Sequence, residues 1–278
     1  MARLTSLNIL LEDKGKDLLA ESYGKVIENI EKTTISSLLK NTDLSGDPTT
    51  GSVEAKRFAN TESQDYGTAR SGGKGQAIKA KPVTVQLDTD RELINEVEDK
   101  DAALYGVDGL ISRKSSMDEK SMRRELERAF FNVAGSEGTT VTLTATEINE
   151  QVEELILKAE TLKNDYIDGI DRDMLSVVLS PEKYSAMRNY LDKVENANIQ
   201  TNIAEFGMYH GVKVFPSVYL PADLEMTVMC DGAIAQPVTT TLDEANKFPA
   251  SNAWHFGMFY SYGAKAVMPD TIFNVKTA

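Results

Sequence analysis

The sequence predicts an α+β fold, because helical and strand-like segments alternate along its 278 residues without a regular β-α-β period. Amphipathic segments with helix-start signals predict the helices, and short alternating or wholly apolar segments predict the strands. A third feature is a long polar loop over residues 51–82, whose charge is opposite to that of the segment after it. Hydrophobic residues make up 41% of the chain, which is ordinary for a globular protein.

An amphipathic helix is predicted over residues 16–40. Its apolar residues recur at helical spacing and share one face. That face comprises Leu19, Tyr23, Val26, Ile27, Ile30 and Leu38. Residues 41–51 are rich in Asp, Ser, Thr, Gly and Pro, which predicts a linker. A helix followed by a linker predicts an N-terminal arm whose apolar face packs on a neighbouring subunit; an ordinary first helix of the core remains the alternative.

Residues 51–82 predict an extended, basic hairpin. Six basic residues against three acidic ones give this loop a net charge of +3. The basic residues are Lys56, Arg57, Arg70, Lys74, Lys79 and Lys81. Glycines within residues 69–75 permit positive φ at the turn, and residues 80–87 alternate as a return strand. So long a hairpin does not fold back on its own core, and we expect it to need a partner surface.

The following segment, residues 86–108, is strongly acidic. Eight negative residues against two positive ones give a net charge of −6. The predicted acidic strip comprises Asp88, Asp90, Glu92, Glu96, Glu98, Asp99 and Asp101. A basic hairpin beside an acidic strip predicts that the hairpin of one copy contacts the strip of another, as in a self-assembling protein. The alternative is that both surfaces simply face water.

Start signals predict three further helices. A capping-box pattern at residues 116–119 predicts a helix that ends near Gly135, and a second such pattern lies at residues 144–147. Ser180 followed by Pro181 predicts the third helix start. Strands are predicted over residues 174–179, 211–220, 226–230 and 254–262.

No pattern in the sequence predicts catalysis, a metal site or a cofactor. The two histidines, His210 and His255, stand in no recognisable triad context, and Cys230 is the only cysteine. The Ser-x-x-Lys pattern at residues 180–183 lacks the companion motifs of the enzymes that use it. We therefore expect a protein that is not an enzyme.

Charge and hydropathy exclude two further classes of partner. The net charge of −13 disfavours tight binding to nucleic acid, which requires a clustered positive surface. No apolar run approaches the roughly 20 residues that span a membrane. The N-terminus lacks the pattern of a secretory signal, and a lone cysteine fits a reducing cytoplasm.

Two local patterns and the order of the parts resemble a known family. Residues 211–221 are similar to a G-x-x-V…S…L-P segment, and residues 262–269 to a closing Y-G-A-x-x-x-x-P strand. With the arm, the long hairpin and the long helix in this order, the whole chain resembles the major capsid protein of tailed bacteriophages. That family has the Hong Kong 97-type capsid fold.

The resemblance implies four parts. Residues 1–50 would form the N-terminal arm and 51–95 the extended hairpin, called the E-loop, with its return strand. Residues 96–144 and 246–278 would form the peripheral (P) domain around a long spine helix, and 145–245 the axial (A) domain.

The resemblance also implies a structural function. The chain would assemble into pentamers and hexamers of an icosahedral shell, enclosing double-stranded DNA without binding it tightly or specifically. The shell would be part of the virion, assembled in the host bacterial cytoplasm with a separate scaffolding protein and a portal. The alternatives are an encapsulin-like nanocompartment that holds an enzyme cargo and a soluble enzyme with an unrecognised site.

Overall fold

A computed structural model describes residues 7–60, 79–192, 207–249 and 251–277. The predicted turn at residues 69–75, with Arg70 and Lys74, lies outside these ranges. The helices are α1 Asp13–Thr33, α2 Ile35–Leu39, α3 Asp99–Tyr105, α4 Val107–Glu137, α5 Ile148–Glu160 and α6 Pro181–Leu191. The strands are β1 Leu44–Ser45, β2 Ser52–Phe58, β3 Ala80–Gln86, β4 Thr89–Glu98, β5 Thr139–Thr140, β6 Leu175–Leu179, β7 Met208–Tyr209, β8 Val212–Pro216, β9 Leu224–Cys230, β10 Ile234–Ala235, β11 Val238–Lys247, β12 Ala253–Tyr262, β13 Lys265–Ala266 and β14 Ile272–Lys276.

The mixture of helices and mostly antiparallel strands confirms the α+β class. One sheet has the order β11-β12-β4 and a second, six-stranded sheet has the order β5-β14-β9-β6-β8-β7. The hairpin forms a third sheet, β1-β2-β3, and β10 pairs with β13. Each of the two larger sheets packs against helices and has its own apolar core.

The β11-β12-β4 sheet is covered on one face by α1 and α4. The predicted alternation in β12 is confirmed, since its inward-facing side chains are all buried. These side chains are Trp254, Phe256, Met258, Tyr260 and Tyr262. The opposite face of this sheet carries no helix among the described residues.

The apolar face of α1 belongs to the chain's own core. Its predicted members Leu19, Tyr23, Val26 and Ile30 are all buried, in one cluster with residues of α4 and the sheet. The expectation that this face packs on a neighbouring subunit is therefore wrong for this structure. Helical periodicity identifies an apolar face, but it does not say which surface covers that face.

The single helix predicted over residues 16–40 is divided into α1 and α2. The chain leaves the helical conformation at Thr34, whose hydroxyl donates to the carbonyl oxygen of Ile30. The backbone N–H of Ile35 then donates to the carboxylate of Glu127 on α4, 3.0 Å away. A contact distant in sequence thus stabilises the break.

The long helix α4 begins earlier than predicted. It starts at Val107, so Ser116 lies inside the helix, and its hydroxyl donates to the carbonyl oxygen of Ser112 rather than capping a terminus. Gly135 is also internal, and the helix ends before Gly138. The Ser-x-x-Glu pattern fits the solvent side of a continuing helix as well as it fits a helix start.

The other two predicted helix starts have different outcomes. At α6, Ser180 accepts a hydrogen bond from the backbone N–H of Lys183, which confirms the prediction. At α5, the side chain of Glu147 forms no cap. Instead the Glu154 carboxylate accepts the backbone N–H groups of Thr144 and Ala145. Glu154, about two turns further along the helix than Glu147, thus replaces the expected capping box.

Two sheets cross the predicted division between the axial and peripheral domains. Strand β14 lies within the range predicted for the peripheral domain, yet it pairs with β9 in the six-stranded sheet. Strand β11 lies mostly within the range predicted for the axial domain, yet it pairs with β12. Segments that are adjacent in sequence therefore belong to different sheets, which local patterns do not reveal.

None of the helices in the described ranges is long and apolar enough to cross a membrane.

Candidate subunit-contact surfaces

The base of the hairpin rests on the chain's own core. Strands β2 and β3 pair from Ser52 opposite Gln86 to Phe58 opposite Ala80. Val53, Ala55 and Val85 are buried, in a cluster with Ala235 and Val267. The expectation that the hairpin has no support within its own chain is therefore wrong for this lower half. Its apolar alternation is what anchors it.

Arg57 fixes the hairpin to two distant segments. Its guanidinium donates two hydrogen bonds to the carboxylate of Asp270, one of them 2.7 Å long, and lies 4.4 Å from the ring centre of Tyr166. Asn164 donates to the same carboxylate. The Arg57 side chain is only 9% exposed, so its predicted role as a free basic contact for another subunit is wrong in this structure.

Electrostatics stabilise this anchor. Burial raises the pKa of the Asp270 carboxyl, but the hydrogen bonds and charge of Arg57 outweigh burial and leave that pKa below its ordinary value. The carboxylate is therefore ionised at neutral pH, as a pair with arginine requires.

The other described lysines of the hairpin are free to meet a partner. Lys56, Lys79 and Lys81 are exposed. Lys81 stands opposite Arg57 in the β2–β3 ladder, and Lys79 shares its face because side chains alternate along a strand. Lys56 lies on the other face, so the hairpin presents positive charge on both sides.

The acidic strip is centred on β4. Asp90, Glu92, Glu96 and Glu98 alternate with inward-facing residues and are exposed on the sheet face that no described helix covers. Asp90 and Glu92, and likewise Glu96 and Glu98, are two residues apart, which corresponds to about 6.7 Å along a strand, and Ile94 lies between the two pairs. Asp88 precedes the strand and is also exposed. These five carboxylates are exposed on one side of the sheet, and their contact with another subunit stays a prediction.

Two members of the predicted strip have a different place. Asp99 and Asp101 lie in the first turn of α3 and are only partly exposed. Asp101 accepts the backbone N–H of Glu98, while Glu98 accepts a backbone N–H of the first turn, which is a reciprocal capping box. Carboxylates are favoured at a helix N-terminus, and this local role explains them without a partner subunit.

Apolar side chains lie among the carboxylates of this sheet face. Ile94 and Phe259 are 39% and 41% exposed. Phe259 stands opposite Glu92 in the ladder and lines a shallow depression together with Asp90, Arg91 and Ser261. An acidic surface with apolar side chains at its centre suits a partner that carries both lysines and an apolar body.

The potentially reactive groups occupy structural positions. Burial raises the pKa of the Cys230 thiol to about 11, which disfavours the nucleophilic thiolate. His255 contacts the carboxylate of Asp243 at 2.9 Å on the open sheet face, and His210 occupies a tight turn at φ 46°. Among the described residues, no group of three or more His, Cys, Asp or Glu side chains is placed to hold a metal ion.

Comparison with known proteins gives structural likeness without sequence likeness. No family model and no curated protein matches the chain. A chain of the Mycobacterium phage Che8 structure matches 87% of this chain over 91% of its own length, with a TM-score of 0.62 and 15% identity. A chain of the cyanophage P-SCSP1u capsid structure matches 89% over 89%, with a TM-score of 0.63 and 13% identity.

A virus-like particle from Pyrococcus furiosus is also similar. It matches 93% of this chain over 98% of its own length, with 10% identity and a lower TM-score of 0.51. The likeness to these three structures covers 87% to 93% of this chain. The chain therefore has the capsid fold that its resemblance to tailed-bacteriophage major capsid proteins predicted.

Proposed function

We propose that this chain is the major capsid protein of a tailed bacteriophage and that its copies assemble, as pentamers and hexamers, into an icosahedral shell around double-stranded DNA. The observation that carries the proposal is the capsid-fold likeness over nearly nine-tenths of the chain. The role is structural and not enzymatic. An encapsulin-like compartment is less favoured, because the TM-scores to the Che8 and P-SCSP1u phage structures, 0.62 and 0.63, exceed the 0.51 to the virus-like particle.

The two charged surfaces support assembly through a specific contact. The exposed lysines of one hairpin, Lys79 and Lys81, are complementary to the acidic face of β4 on another copy. Within one chain, the anchor at Arg57 fixes the hairpin base. A contact between copies is then geometrically defined. Each exposed ion pair contributes only about 0–1 kcal/mol, but the contact recurs at every subunit.

Electron microscopy of the purified chain tests the assembly. We expect closed or tubular particles built from five-fold or six-fold units, with a scaffolding protein and a portal as additional components of the complete head. A protein that stays monomeric under every assembly condition would contradict the proposal. Particles that co-purify with an enzyme cargo would support the nanocompartment instead.

Charge reversal tests the contact itself. The Lys79→Glu/Lys81→Glu variant should remain folded but lose assembly, because like charges then face each other across the interface. Adding Glu92→Lys/Glu96→Lys to the same chain should restore particles. The matched control is Lys14→Glu/Lys163→Glu, which reverses two exposed lysines outside the hairpin. Normal particles from the first variant would show that this pairing does not drive assembly.

A further inference from the structure

Helix α4 carries an exposed ridge of positive charge. Arg113, Lys120, Arg124 and Arg128 are separated by seven, four and four residues, so they lie along one side of the helix. All four are exposed, and the exposed residues between them, Ser116 and Met117, are uncharged. We call these four residues the basic ridge.

The acidic residues of the same part of α4 are on its packed sides. Asp118 accepts from Tyr23 and Asn95, Glu119 from Asn29, and Glu125 from Tyr260 and Tyr262. Glu127 is 1% exposed and accepts the backbone N–H of Ile35. Each of these carboxylates thus has a partner within the chain.

The cations of the ridge are not neutralised in this way. None of the four forms an ion pair with another residue in the described ranges, although Arg113 lies 4.7 Å from the ring centre of Tyr105. Helix α4 therefore directs its negative groups inward and its positive groups to solvent. This is unexpected on a chain with a net charge of −13.

The ridge and the acidic surface lie on opposite sides of one layer. Helix α4 covers the face of the sheet that carries Trp254 and Phe256, whereas Asp90, Glu92 and Glu96 lie on the other face. In the proposed assembly the acidic side is occupied by a hairpin from another copy. The basic side then remains available to a different, negatively charged partner.

Geometry and chemistry favour a nucleic-acid backbone as that partner. The 15 residue steps from Arg113 to Arg128 correspond to about 22 Å of helix, and duplex DNA carries about one charge per 1.7 Å of its axis. Three of the four cations are arginines, which bind phosphate oxygens with two parallel hydrogen bonds. The net negative charge of the chain opposes binding at long range, but salt screens it beyond roughly 8 Å.

We propose that the basic ridge of α4 contacts the phosphate backbone of the enclosed double-stranded DNA, weakly and without sequence preference. This inference rests on the proposed function, since it requires that DNA is enclosed. The ridge orients the helical side of the layer toward the DNA, while the acidic groups elsewhere keep the overall affinity low. Contact of this kind holds the DNA near the wall without fixing its position.

The experiment measures binding of the full-length chain to a fluorescently labelled 30-base-pair duplex by anisotropy, in a salt series from 50 to 200 mM. We expect weak binding at 50 mM salt that is lost at higher salt. The Lys120→Gln/Arg124→Gln/Arg128→Gln variant should reduce the slope of log affinity against log salt by about 0.9 for each residue that contacts phosphate. The matched control, Lys14→Gln/Lys163→Gln/Lys213→Gln, removes the same charge from three exposed lysines outside both the ridge and the hairpin, and it should keep the slope of the unmodified chain.

Several outcomes would overturn the inference. These are no binding by the unmodified chain at 50 mM salt, equal slopes for the ridge variant and the unmodified chain, or loss of binding in the control variant alone. Ridge-dependent binding of polyglutamate that is tighter than that of DNA would assign the ridge to an acidic protein segment instead. Melting temperatures confirm that the variants are folded.

Microscopy of the same samples separates this inference from the proposed function. Particles without ridge-dependent DNA binding would contradict only the inference. Absence of particles from the unmodified chain under all assembly conditions would contradict the proposed function.

Discussion

Asp118 joins three elements of the helix-covered sheet through one carboxylate oxygen. That oxygen accepts the hydroxyl of Tyr23 on α1 at 2.8 Å and the amide of Asn95 on β4 at 2.6 Å. Burial raises the pKa of the Asp118 carboxyl above its ordinary value, although both hydrogen bonds lower it. A buried charge of this kind is stabilised only while its donors are present.

Removing one donor should therefore destabilise the fold. We expect Tyr23→Phe to lower the free energy of unfolding by about 1–3 kcal/mol, because the carboxylate loses a hydrogen bond that water does not replace. Chemical denaturation at neutral pH measures this. The control is Asp118→Asn, which keeps an acceptor oxygen but buries no charge, and which should cost less than Tyr23→Phe. A larger loss from Asp118→Asn would show that the charge itself is required.

The pH dependence of this pair has a definite sign. Because the folded-state pKa of Asp118 is raised, the folded state holds the proton more tightly than the unfolded state. The contribution of Asp118 to stability thus falls as the pH rises from about 3.8 through the raised pKa. The stability of the Asp118→Asn variant relative to the unmodified chain should therefore increase as the pH rises over that range.

The Arg57–Asp270 anchor should show the opposite dependence. Its carboxyl has a pKa below the ordinary 3.8, so its contribution is present above that value and is lost as the pH falls through the lower folded-state pKa. We expect Asp270→Asn to destabilise by about 1–3 kcal/mol at neutral pH, since the guanidinium loses a charged partner. Melting temperatures of the variant and the unmodified chain should converge in acid. A difference that persists unchanged below pH 3 would contradict the electrostatic role.

Single residues also show what sequence reasoning could not resolve. Arg57 and Lys56 are adjacent, both basic and both in the hairpin, yet only Arg57 is anchored within the chain. Its partner Asp270 is 213 residues away. The local charge count therefore identified the exposed lysines of the hairpin, but it overestimated the positive charge available on the hairpin surface because it included Arg57.

At the scale of elements, β4 and β12 approach each other unusually closely at Gly257. A Cβ atom at this position would lie 2.0 Å from the carbonyl oxygen of Leu93, which is far inside contact distance. The nearest atoms belong to the backbone of Leu93 and Ile94 in the paired strand β4, so they cannot move away without disturbing the hydrogen bonds between the two strands. The long sheet thus depends on a glycine here.

We expect Gly257→Ala to destabilise the chain strongly, by several kcal/mol or by loss of folding. The added methyl group would overlap the backbone of β4, so β4 and β12 could not pair at this position. The matched control is Gly24→Ala on α1, where no atom lies within 4 Å of the added Cβ. That variant should be neutral or stabilising by about 0.5–1 kcal/mol. Circular dichroism and thermal melts compare the two. A Gly257→Ala chain as stable as its parent would show that the strands separate easily.

Elements with a strong local period were predicted well, and those set by distant contacts were not. The alternation of β12 identified its buried face residue by residue, and Ser180 correctly marked the start of α6. The break at Thr34 is stabilised by Glu127, 92 residues from Ile35 in the sequence, and α4 starts directly after Gly106, before the pattern that predicted its start. Likewise, nothing in the sequence of α1 indicates that its apolar face packs against α4 and the β11-β12-β4 sheet.

At the scale of the whole molecule, charge is sorted by surface rather than mixed. The hairpin lysines, the acidic face of β4 and the basic ridge occupy three separate places. The first two were predicted from charge counts along the chain. The ridge was not, because Lys120, Arg124 and Arg128 are interspersed with acidic residues in sequence and separate from them only when the helix forms.

Sorted charge makes the proposed assembly sensitive to salt. Particles formed at 0.1 M salt should shift toward free subunits or capsomers at 1 M salt, where the screening length falls from about 10 Å to about 3 Å. Sedimentation velocity measures the shift. The variant that combines Lys79→Glu/Lys81→Glu with Glu92→Lys/Glu96→Lys should show the same dependence of assembly on salt. Particles indifferent to salt would indicate that apolar contacts, such as those of Ile94 and Phe259, dominate.

The position of β14 imposes an order on biosynthesis. This strand, Ile272–Lys276, is inserted between β5 and β9, although both of those strands precede it in the sequence. Until residues 272–276 have been translated, β9 has no partner on that side, so the sheet stays open and its apolar strands are exposed. The six-stranded sheet is therefore completed only when β14 has been made, and a chain interrupted before it leaves β5 and β9 without their shared neighbour.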